Sequence, residues 1–194
     1  MLKNYDHSAP LCVLGSGITA RAIKEWIQLE HDIEVNLVDH TDFSKLTASD
    51  QCIPGFFNYR ETFTEFVSNS PVTNWVTFVS KSAFVVPSAM NNIGVGCVVA
   101  PLSSIWTEAV VGDFTTMNPY SLVGHGVIMG KNNVLAPRVT IGGSTEVGDN
   151  NFFGLNCSIV DRIKIGNNIK FLMNSVVTKS ISAPGKYHGN KIVN

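Results

Sequence analysis

The sequence predicts two parts, an α/β Rossmann-like domain over residues 1–85 and a left-handed parallel β-helix over residues 86–194. Two observations support this prediction. From Ile93 onward an apolar residue recurs at every sixth position, and no such period exists before residue 86. The N-terminal part instead has a short apolar run, a glycine-containing turn and a helical pattern in succession.

The six-residue period continues without interruption over fifteen repeats. Every position in this frame is apolar: Ile93, Val99, Ile105, Val111, Met117, Val123, Met129, Leu135, Ile141, Val147, Phe153, Ile159, Ile165, Phe171 and Val177. In a control frame that starts at Val95, only Val95, Leu155 and Met173 are apolar. Leucine-rich and propeller repeats need periods of about twenty residues or more. A six-residue period indicates short strands on the edges of a triangular coil, with the large apolar residue in the interior.

Small residues follow most of the apolar positions, and we expect them to let the chain turn each corner. They are Gly94, Ala100, Gly112, Gly124, Gly130, Ala136, Gly142, Gly148, Gly154 and Gly166. Three edges make a turn of 18 residues, and Gly-Lys-Asn-Asn at 130–133, Gly-Asp-Asn-Asn at 148–151 and Gly-Asn-Asn at 166–168 recur at that spacing. Asparagine and glycine tolerate the left-handed backbone that tight corners need. Fifteen repeats therefore predict five coils.

The N-terminal region has a strand-turn-helix-strand pattern. Residues 11–14 predict a strand, and the turn Gly15 to Ala20 has the form G-x-G-x-x-A. A helix follows, whose predicted apolar face is formed by Ile18, Ala22, Ile23, Trp26, Ile27 and Leu29. Residues 35–38 predict a second strand that leads to Asp39 and His40. Such a turn lets a phosphate approach the backbone at a helix N-terminus.

The size of this region limits what it could bind. About 85 residues leave no room for the second half of a dinucleotide-binding fold, so a single nucleotide or a nucleotide-sugar fits better. The alternative is an α/β packing unit that binds no phosphate. A third strand is predicted to end at Gly55-Phe56-Phe57, a helix is predicted at 61–68, and a strand at 75–79 leads into the repeat. No Pro/Ser-rich linker is present, so we expect the two parts to pack directly.

The composition excludes several classes of protein. A net charge of −1 gives no basic surface for nucleic acid. No apolar run approaches the ~20 residues of a membrane helix, and the first ten residues lack the apolar core of a signal peptide. We therefore expect a cytoplasmic protein without membrane insertion. The four cysteines, Cys12, Cys52, Cys97 and Cys157, have no metal-ligand spacing and are interpreted as buried apolar residues in a reducing compartment.

His125 is the only histidine within the fifteen repeats. It lies two positions after the core residue Val123, so its side chain should point outward. Gly143 follows eighteen residues later, which places it one coil away, ~4.8 Å along the stack. An imidazole beside a bare glycine N–H would supply the base and the oxyanion donor that acyl transfer needs. The alternatives are an exposed, solvated histidine and a zinc site, the latter disfavoured because zinc takes three or four protein ligands.

The segment from Asn118-Pro119 to Gly124-His125 has the form N-P-x-x-x-x-G-H. With the small α/β domain before an uninterrupted β-helix, it resembles the bacterial nucleotide-sugar acetyltransferases of the bacillosamine and perosamine pathways and the sialic-acid O-acetyltransferases. The resemblance extends from about Leu11 to Ile181. It implies acetyl-CoA as co-substrate, no metal, a role in surface glycan biosynthesis, and a homotrimer with active sites between neighbouring β-helices.

The resemblance also implies roles for individual residues. His125 would be the general base, Gly143 would donate its backbone N–H to the thioester carbonyl, and Asn118 would help shape the site. Acetyl-CoA would lie in a groove near Leu155 and Met173. The nucleotide part of the sugar donor would be held by Ser16, Gly17, Ile18, Asp39, His40 and Gly55.

One departure from the family concerns the residue after the base. The family usually has Glu or Asp there, and this chain has Gly126. Glu108 lies eighteen residues before Gly126 and should stack one coil away. We expect Glu108, or a group from the next subunit, to supply the carboxylate, with an ordinary surface carboxylate as the alternative.

Three functions are compatible with these features. The first is N-acetylation of a UDP-, dTDP- or GDP-linked 4-amino-sugar. The second is O-acetylation of a sugar such as sialic acid, and the third is a catalytically silent β-helix that binds a nucleotide-sugar or a protein partner. A hydroxyl is a poorer nucleophile than an amine and depends more on an activated base. The missing acid at Gly126 therefore favours the amine.

Overall fold

The computed structural model describes residues 1–55 and 66–193, without the side chains at positions 40 and 41. The chain folds into a left-handed-type β-solenoid of about six turns, preceded by a parallel sheet and a helix. The solenoid has three faces. The strands of the first face are Leu2–Lys3, Thr77–Val79, Val98–Val99, Thr116–Met117, Val134–Leu135, Phe152–Phe153, Ile169–Phe171, Gly185–His188 and Lys191–Ile192. Those of the second face are Phe84–Val85, Ser104–Ile105, Leu122–Val123, Thr140–Ile141, Ser158–Ile159 and Val176–Val177. Those of the third face are Val110–Val111, Ile128–Met129, Glu146–Val147 and Lys164–Ile165.

The predicted interior is confirmed. All fifteen apolar positions of the six-residue frame are at most 5% exposed, and they form one continuous core. Strands eighteen residues apart pair in parallel, as Val123 does with Ile141. Phe153 and Phe171 stack along the axis with ring centroids 5.3 Å apart. Burial of this apolar column is the main favourable term that holds the coils together.

We expected the small residues to let the chain turn each corner, and this reason is wrong. A β-carbon on Gly124 would lie 2.8 Å from Gly143 N, and one on Gly154 would lie 2.6 Å from Met173 N. These glycines are needed because the next coil passes too close for a side chain. The left-handed corner residues come two positions later, every sixth residue from Gly96 to Asn174. The other residues with this left-handed backbone are Leu102, Glu108, Phe114, Tyr120, Gly126, Asn132, Arg138, Ser144, Asn150, Asn156, Arg162 and Asn168.

The N-terminal sheet has four parallel strands in the order Val35–Val38, Leu11–Leu14, Gln51–Pro54 and Asn74–Trp75. The helix Ile18–Glu30 connects the strands Leu11–Leu14 and Val35–Val38. All three elements lie where the sequence predicted them. Its predicted apolar face is partly wrong. Ile18 and Leu29 are 83% and 86% exposed, whereas Ala20, Ile23 and Ile27 are buried.

Three further predictions need adjustment. The third strand ends at Pro54, so Gly55 follows it, while Phe56 and Phe57 lie outside the described residues. A helix occupies 66–69, and the earlier part of the predicted helix, 61–65, is also outside. The strand predicted at 75–79 is two strands in two different sheets, interrupted at Val76. A 3-10 helix His40–Lys45 and a short helix Pro87–Met90 complete the described elements.

The two parts pack directly against each other. Val13 and Ile23 share a buried cluster with Phe78 and Val98, which lie on the outside of the first face. The N-terminal strand Leu2–Lys3 pairs antiparallel with Thr77–Val79. Parallel pairing of the solenoid begins at Phe78 with Val98, before residue 86. The boundary after residue 85 stays a prediction.

Candidate active site

The corner between the second and third faces holds His125. The Gly126 N–H donates to Thr107 O at 2.8 Å, and the Ser144 N–H donates to His125 O at 2.8 Å. Thr107, His125 and Gly143 therefore stand one above another on consecutive coils, as the spacing predicted. His125 is exposed at this corner.

The His125 imidazole occupies the space in which a side chain of residue 143 would begin. A β-carbon at Gly143 would be 2.5 Å from Nε2, 2.7 Å from Cε1 and 2.9 Å from Cδ2 of the ring. Only a residue without a side chain leaves this space to the imidazole. Nε2 is therefore the ring atom nearest to the position that a Gly143 β-carbon would take. An acceptor nitrogen at this point can take a proton from a group bound beside the glycine.

The Gly143 N–H differs from the N–H groups of its two chain neighbours. Its neighbours Gly142 and Ser144 donate to Ile159 O and His125 O, but in the part of the chain that the structure describes the Gly143 N–H has no acceptor. A fixed backbone N–H is the kind of donor that stabilises negative charge on a carbonyl oxygen during acyl transfer. The corner thus combines a base and an oxyanion donor from two successive coils.

The structure does not pair Glu108 with His125. Glu108 is exposed in the left-handed corner position one coil below Gly126, with φ of 60°. Among the described residues its carboxylate has no hydrogen bond or ion pair, while its N–H donates to Ser88 Oγ at 3.4 Å. The predicted carboxylate partner of His125 is therefore absent within the described part of one chain.

Asn118 lies at a different corner, before the strand Leu122–Val123. Its Nδ2 donates to Leu135 O at 2.9 Å, and its own carbonyl accepts hydrogen bonds from Ser103 Oγ at 3.0 Å and Ser121 Oγ at 2.5 Å. Within one chain these contacts stabilise the corner between the first and second faces. They do not bring Asn118 to His125.

Leu155 and Met173 belong to the same corner as Asn118. They stack on consecutive coils, since the Asn174 N–H donates to Leu155 O at 2.8 Å. Leu155 is 50% and Met173 is 60% exposed, so they form a small apolar stripe. The second face separates this stripe from His125 in the same chain.

The predicted nucleotide residues meet at the carboxyl ends of the N-terminal strands. Ser16 Oγ donates to Asp39 Oδ2, and the Gly55 N–H donates to Leu14 O at 2.9 Å. A β-carbon on Gly55 would lie 2.5 Å from Leu14 O, so this approach also requires glycine. The structure therefore brings Ser16, Asp39 and Gly55 to one edge, the edge where α/β sheets bind ligands.

The helix N-terminus at this edge is uncapped. Gly17 is the N-cap residue, no side chain caps the helix, and the first turn holds no acidic residue. The N–H groups of such a turn favour an anion. Ile18, predicted to bind through this turn, has an exposed side chain, and the side chain of His40 lies outside what is described.

Sequence reasoning missed a cation beside this turn. Arg21 Nε donates to Ser16 O at 3.1 Å, which holds the guanidinium stem against the turn. The signal was present, because Arg21 directly follows the G-x-G-x-x-A motif and falls in the first turn of the helix. A guanidinium there adds positive charge to a site already suited to phosphate.

Residues 1–55 and 66–193 contain no group of three or more His, Cys, Asp or Glu side chains placed to hold a metal ion. None of the helices in those ranges combines the length and the apolar character that a membrane crossing requires.

Comparison with solved structures identifies similar folds over almost the whole chain. The acetyltransferase domain of PglB from Neisseria gonorrhoeae FA1090, in complex with acetyl coenzyme A, matches with a TM-score of 0.84 and 17% identity over 95% of this chain and 98% of that chain. WeeI from Acinetobacter baumannii AYE matches with a TM-score of 0.81 and 19% identity over 95% and 100%. A variant of perosamine N-acetyltransferase from Caulobacter crescentus, in complex with CoA and GDP-perosamine, matches with a TM-score of 0.78 and 17% identity over 96% and 97%.

These likenesses establish the fold. No family model matches the chain, and no curated protein matches it in sequence.

Proposed function

We propose that this chain is an acetyl-CoA-dependent N-acetyltransferase that acts on the amine of a nucleotide-linked 4-amino-sugar. The observation that supports it most is the placement of the His125 imidazole over the bare backbone of Gly143. The similar PglB domain was solved in complex with acetyl coenzyme A, and the similar perosamine N-acetyltransferase variant in complex with CoA and GDP-perosamine. We place the chain with the nucleotide-sugar acetyltransferases that its sequence resembles.

In the proposed reaction the sugar amine attacks the thioester carbonyl carbon. A C–N bond forms and the C–S bond breaks. His125 accepts the proton that the amine nitrogen loses and returns it to the leaving CoA sulfur. The Gly143 N–H donates to the carbonyl oxygen as negative charge develops on it. A carboxylate from a neighbouring copy would orient the imidazole.

The nucleotide part of the substrate is assigned to the N-terminal region, which we interpret as a Rossmann-like domain. Ile18 begins the uncapped helix, directly after Ser16 and Gly17, and these three residues would contact phosphate through their backbone. The residues assigned to the nucleoside and its surroundings are Asp39, His40 and Gly55. Arg21 adds a guanidinium to the same edge.

The proposal includes a homotrimer in the cytoplasm. His125 and the stripe of Leu155 and Met173 lie at different corners of one chain, on either side of the second face. In a homotrimer, the corner with Asn118, Leu155 and Met173 of one copy would meet the His125 corner of the next. That assembly would bring acetyl-CoA and the base together.

The test is a thiol-release assay with acetyl-CoA and a panel of UDP-, dTDP- and GDP-linked 4-amino-sugars, beside matched sugars with a hydroxyl at that position. We expect release only with an amine acceptor, and a loss of about 10²–10⁴-fold in kcat for His125→Ala. His7→Ala, which removes another exposed imidazole, is the matched control and should retain full activity. Full activity of His125→Ala would refute the assignment of the base, and preferential release with the hydroxyl sugars would indicate O-acetylation.

A further inference from the structure

The second residue after each core position follows a hydrogen-bonding pattern along the solenoid. Four of these corner positions hold Asp or Asn. In three of them the side chain accepts the backbone N–H of the residue eighteen positions earlier: Val95 N–H to Asp113 Oδ1 at 2.9 Å, Lys131 N–H to Asp149 Oδ1 at 2.8 Å, and Asp149 N–H to Asn167 Oδ1 at 2.7 Å. An Asx side chain at this position therefore normally occupies the N–H one coil below.

Asp161 is the exception. It lies eighteen residues after Gly143, but its carboxylate is paired with Arg162 Nη1 at 2.5 Å and does not accept the Gly143 N–H. The space around the glycine that follows the core residue one coil earlier differs in the same way, as Gly130 and Gly142 show. A β-carbon on Gly130 would lie 2.1 Å from Asp149 Oδ1, whereas the closest atoms to one on Gly142 are backbone atoms of 160 and 161, from 2.5 Å.

We infer that Arg162 is a positioning residue, which holds the Asp161 carboxylate away from Gly143 and so keeps that N–H free for the thioester carbonyl. This inference rests on the proposed function. If Asp161 adopted the arrangement of Asp113 or Asp149, its charged carboxylate would form a strong hydrogen bond with the Gly143 N–H. The oxyanion would then lose its donor and meet a negative charge.

The pair is suited to this role and contributes little to folding. The side chains of Arg162 and Asp161 are 77% and 44% exposed, and ion pairs between exposed side chains add little stability. Both residues sit at the same corner, so the pair has only to select between two local positions of one carboxylate. Removal of the Arg162 side chain should leave the solenoid folded.

Kinetics of four variants test this role. For Arg162→Ala we expect kcat to fall by about 3- to 5-fold, because Asp161 then turns onto Gly143 more often and an exposed ion pair shifts such an equilibrium by about that factor. Arg162→Lys keeps a cation near Asp161 and should restore most of the activity. Asp161→Ala should remain near the wild type, and Asp161→Ala/Arg162→Ala should match Asp161→Ala. Equal losses in Arg162→Ala and the double variant would overturn the inference, as would full activity of Arg162→Ala.

A crystal structure of Arg162→Ala separates this inference from the proposed function. We expect an Asp161 carboxylate oxygen about 3 Å from Gly143 N. A carboxylate that stays away from this N–H overturns the inference, whatever the activity. If the wild type transfers no acetyl group to any amino-sugar while the carboxylate does move onto Gly143, the proposed function fails and the positioning role of Arg162 stands.

Discussion

Replacement of Gly143 by alanine should displace the His125 ring and leave the chain folded. The new β-carbon would lie 2.5 Å from Nε2 and 2.7 Å from Cε1 of that ring. Ordinary contacts between such atoms are about 3.5 Å, so the imidazole has to retreat by about 1 Å. A misplacement of about 1 Å in a catalytic group can cost about 10²-fold in rate. Alanine retains the backbone N–H, so the oxyanion donor is unchanged.

The assay compares kcat for acetyl transfer with the free energy of unfolding in urea. We expect kcat of Gly143→Ala to fall by about 10²-fold and the free energy of unfolding to change by less than about 1 kcal/mol, because the displaced ring is exposed. Gly142→Ala is the adjacent comparison. Its β-carbon would lie 2.5 Å from the backbone N of Asp161, which cannot move aside, so this variant should lose about 1–3 kcal/mol of stability.

A double-mutant cycle decides whether the ring is the cause. In a His125→Ala background there is no imidazole to displace, so Gly143→Ala should have almost no further effect on kcat. An equal loss in both backgrounds would refute the reasoning, since it would mean that the methyl group obstructs the thioester itself.

Three other predictions concern burial. Burial raises the pKa of the Cys97 and Cys157 thiols to about 12, so a thiol reagent at pH 8 should leave both unmodified in the native protein and label them after unfolding; rapid native labelling would contradict this. Burial also lowers the pKa of His31, so the unfolded chain binds more protons below about pH 6.5 and the free energy of unfolding should fall as the pH drops through that range. His31→Gln should flatten this part of the stability curve, and an unchanged slope would exclude His31 as its source. Phe153→Ala removes a fully buried ring and should lower the free energy of unfolding in urea by about 3–5 kcal/mol, so a loss below about 1 kcal/mol would argue against the stacked core.

The solenoid could be predicted because every coil repeats one physical requirement. An apolar residue must fill the axis at each edge, and this gives the frame from Ile93 to Val177 and the column from His125 to Gly143. The reason for the small residues was harder to predict from the sequence. Their need arises from the distance to the next coil, as Gly124 shows, and a linear sequence does not express that distance.

The N-terminal part was predictable at the level of strands and helix, but less so in its packing. Ile18 and Leu29 fit a helical apolar pattern and are nevertheless exposed, because the sheet covers only the side of the helix with Ile23 and Ile27. The interruption at Val76 was also hidden, since two strands from different sheets follow each other with no polar spacer.

The site itself was predicted in part. The spacing of eighteen predicted that His125 lies beside Gly143, but it could not reveal that Glu108 forms no hydrogen bond or ion pair with the imidazole within the described residues. The pairing of Asp161 with Arg162 was also beyond sequence reasoning. It becomes evident only when Asp161 is compared with Asp113, Asp149 and Asn167, whose side chains accept hydrogen bonds from the coil below.

A structure of the protein with bound acetyl-CoA measures the central claim most directly. We predict that the thioester oxygen lies about 3 Å from Gly143 N, with His125 Nε2 facing the carbonyl carbon across the space for an amine. An acetyl group seated at another corner, away from both the imidazole and this backbone N–H, would contradict the account.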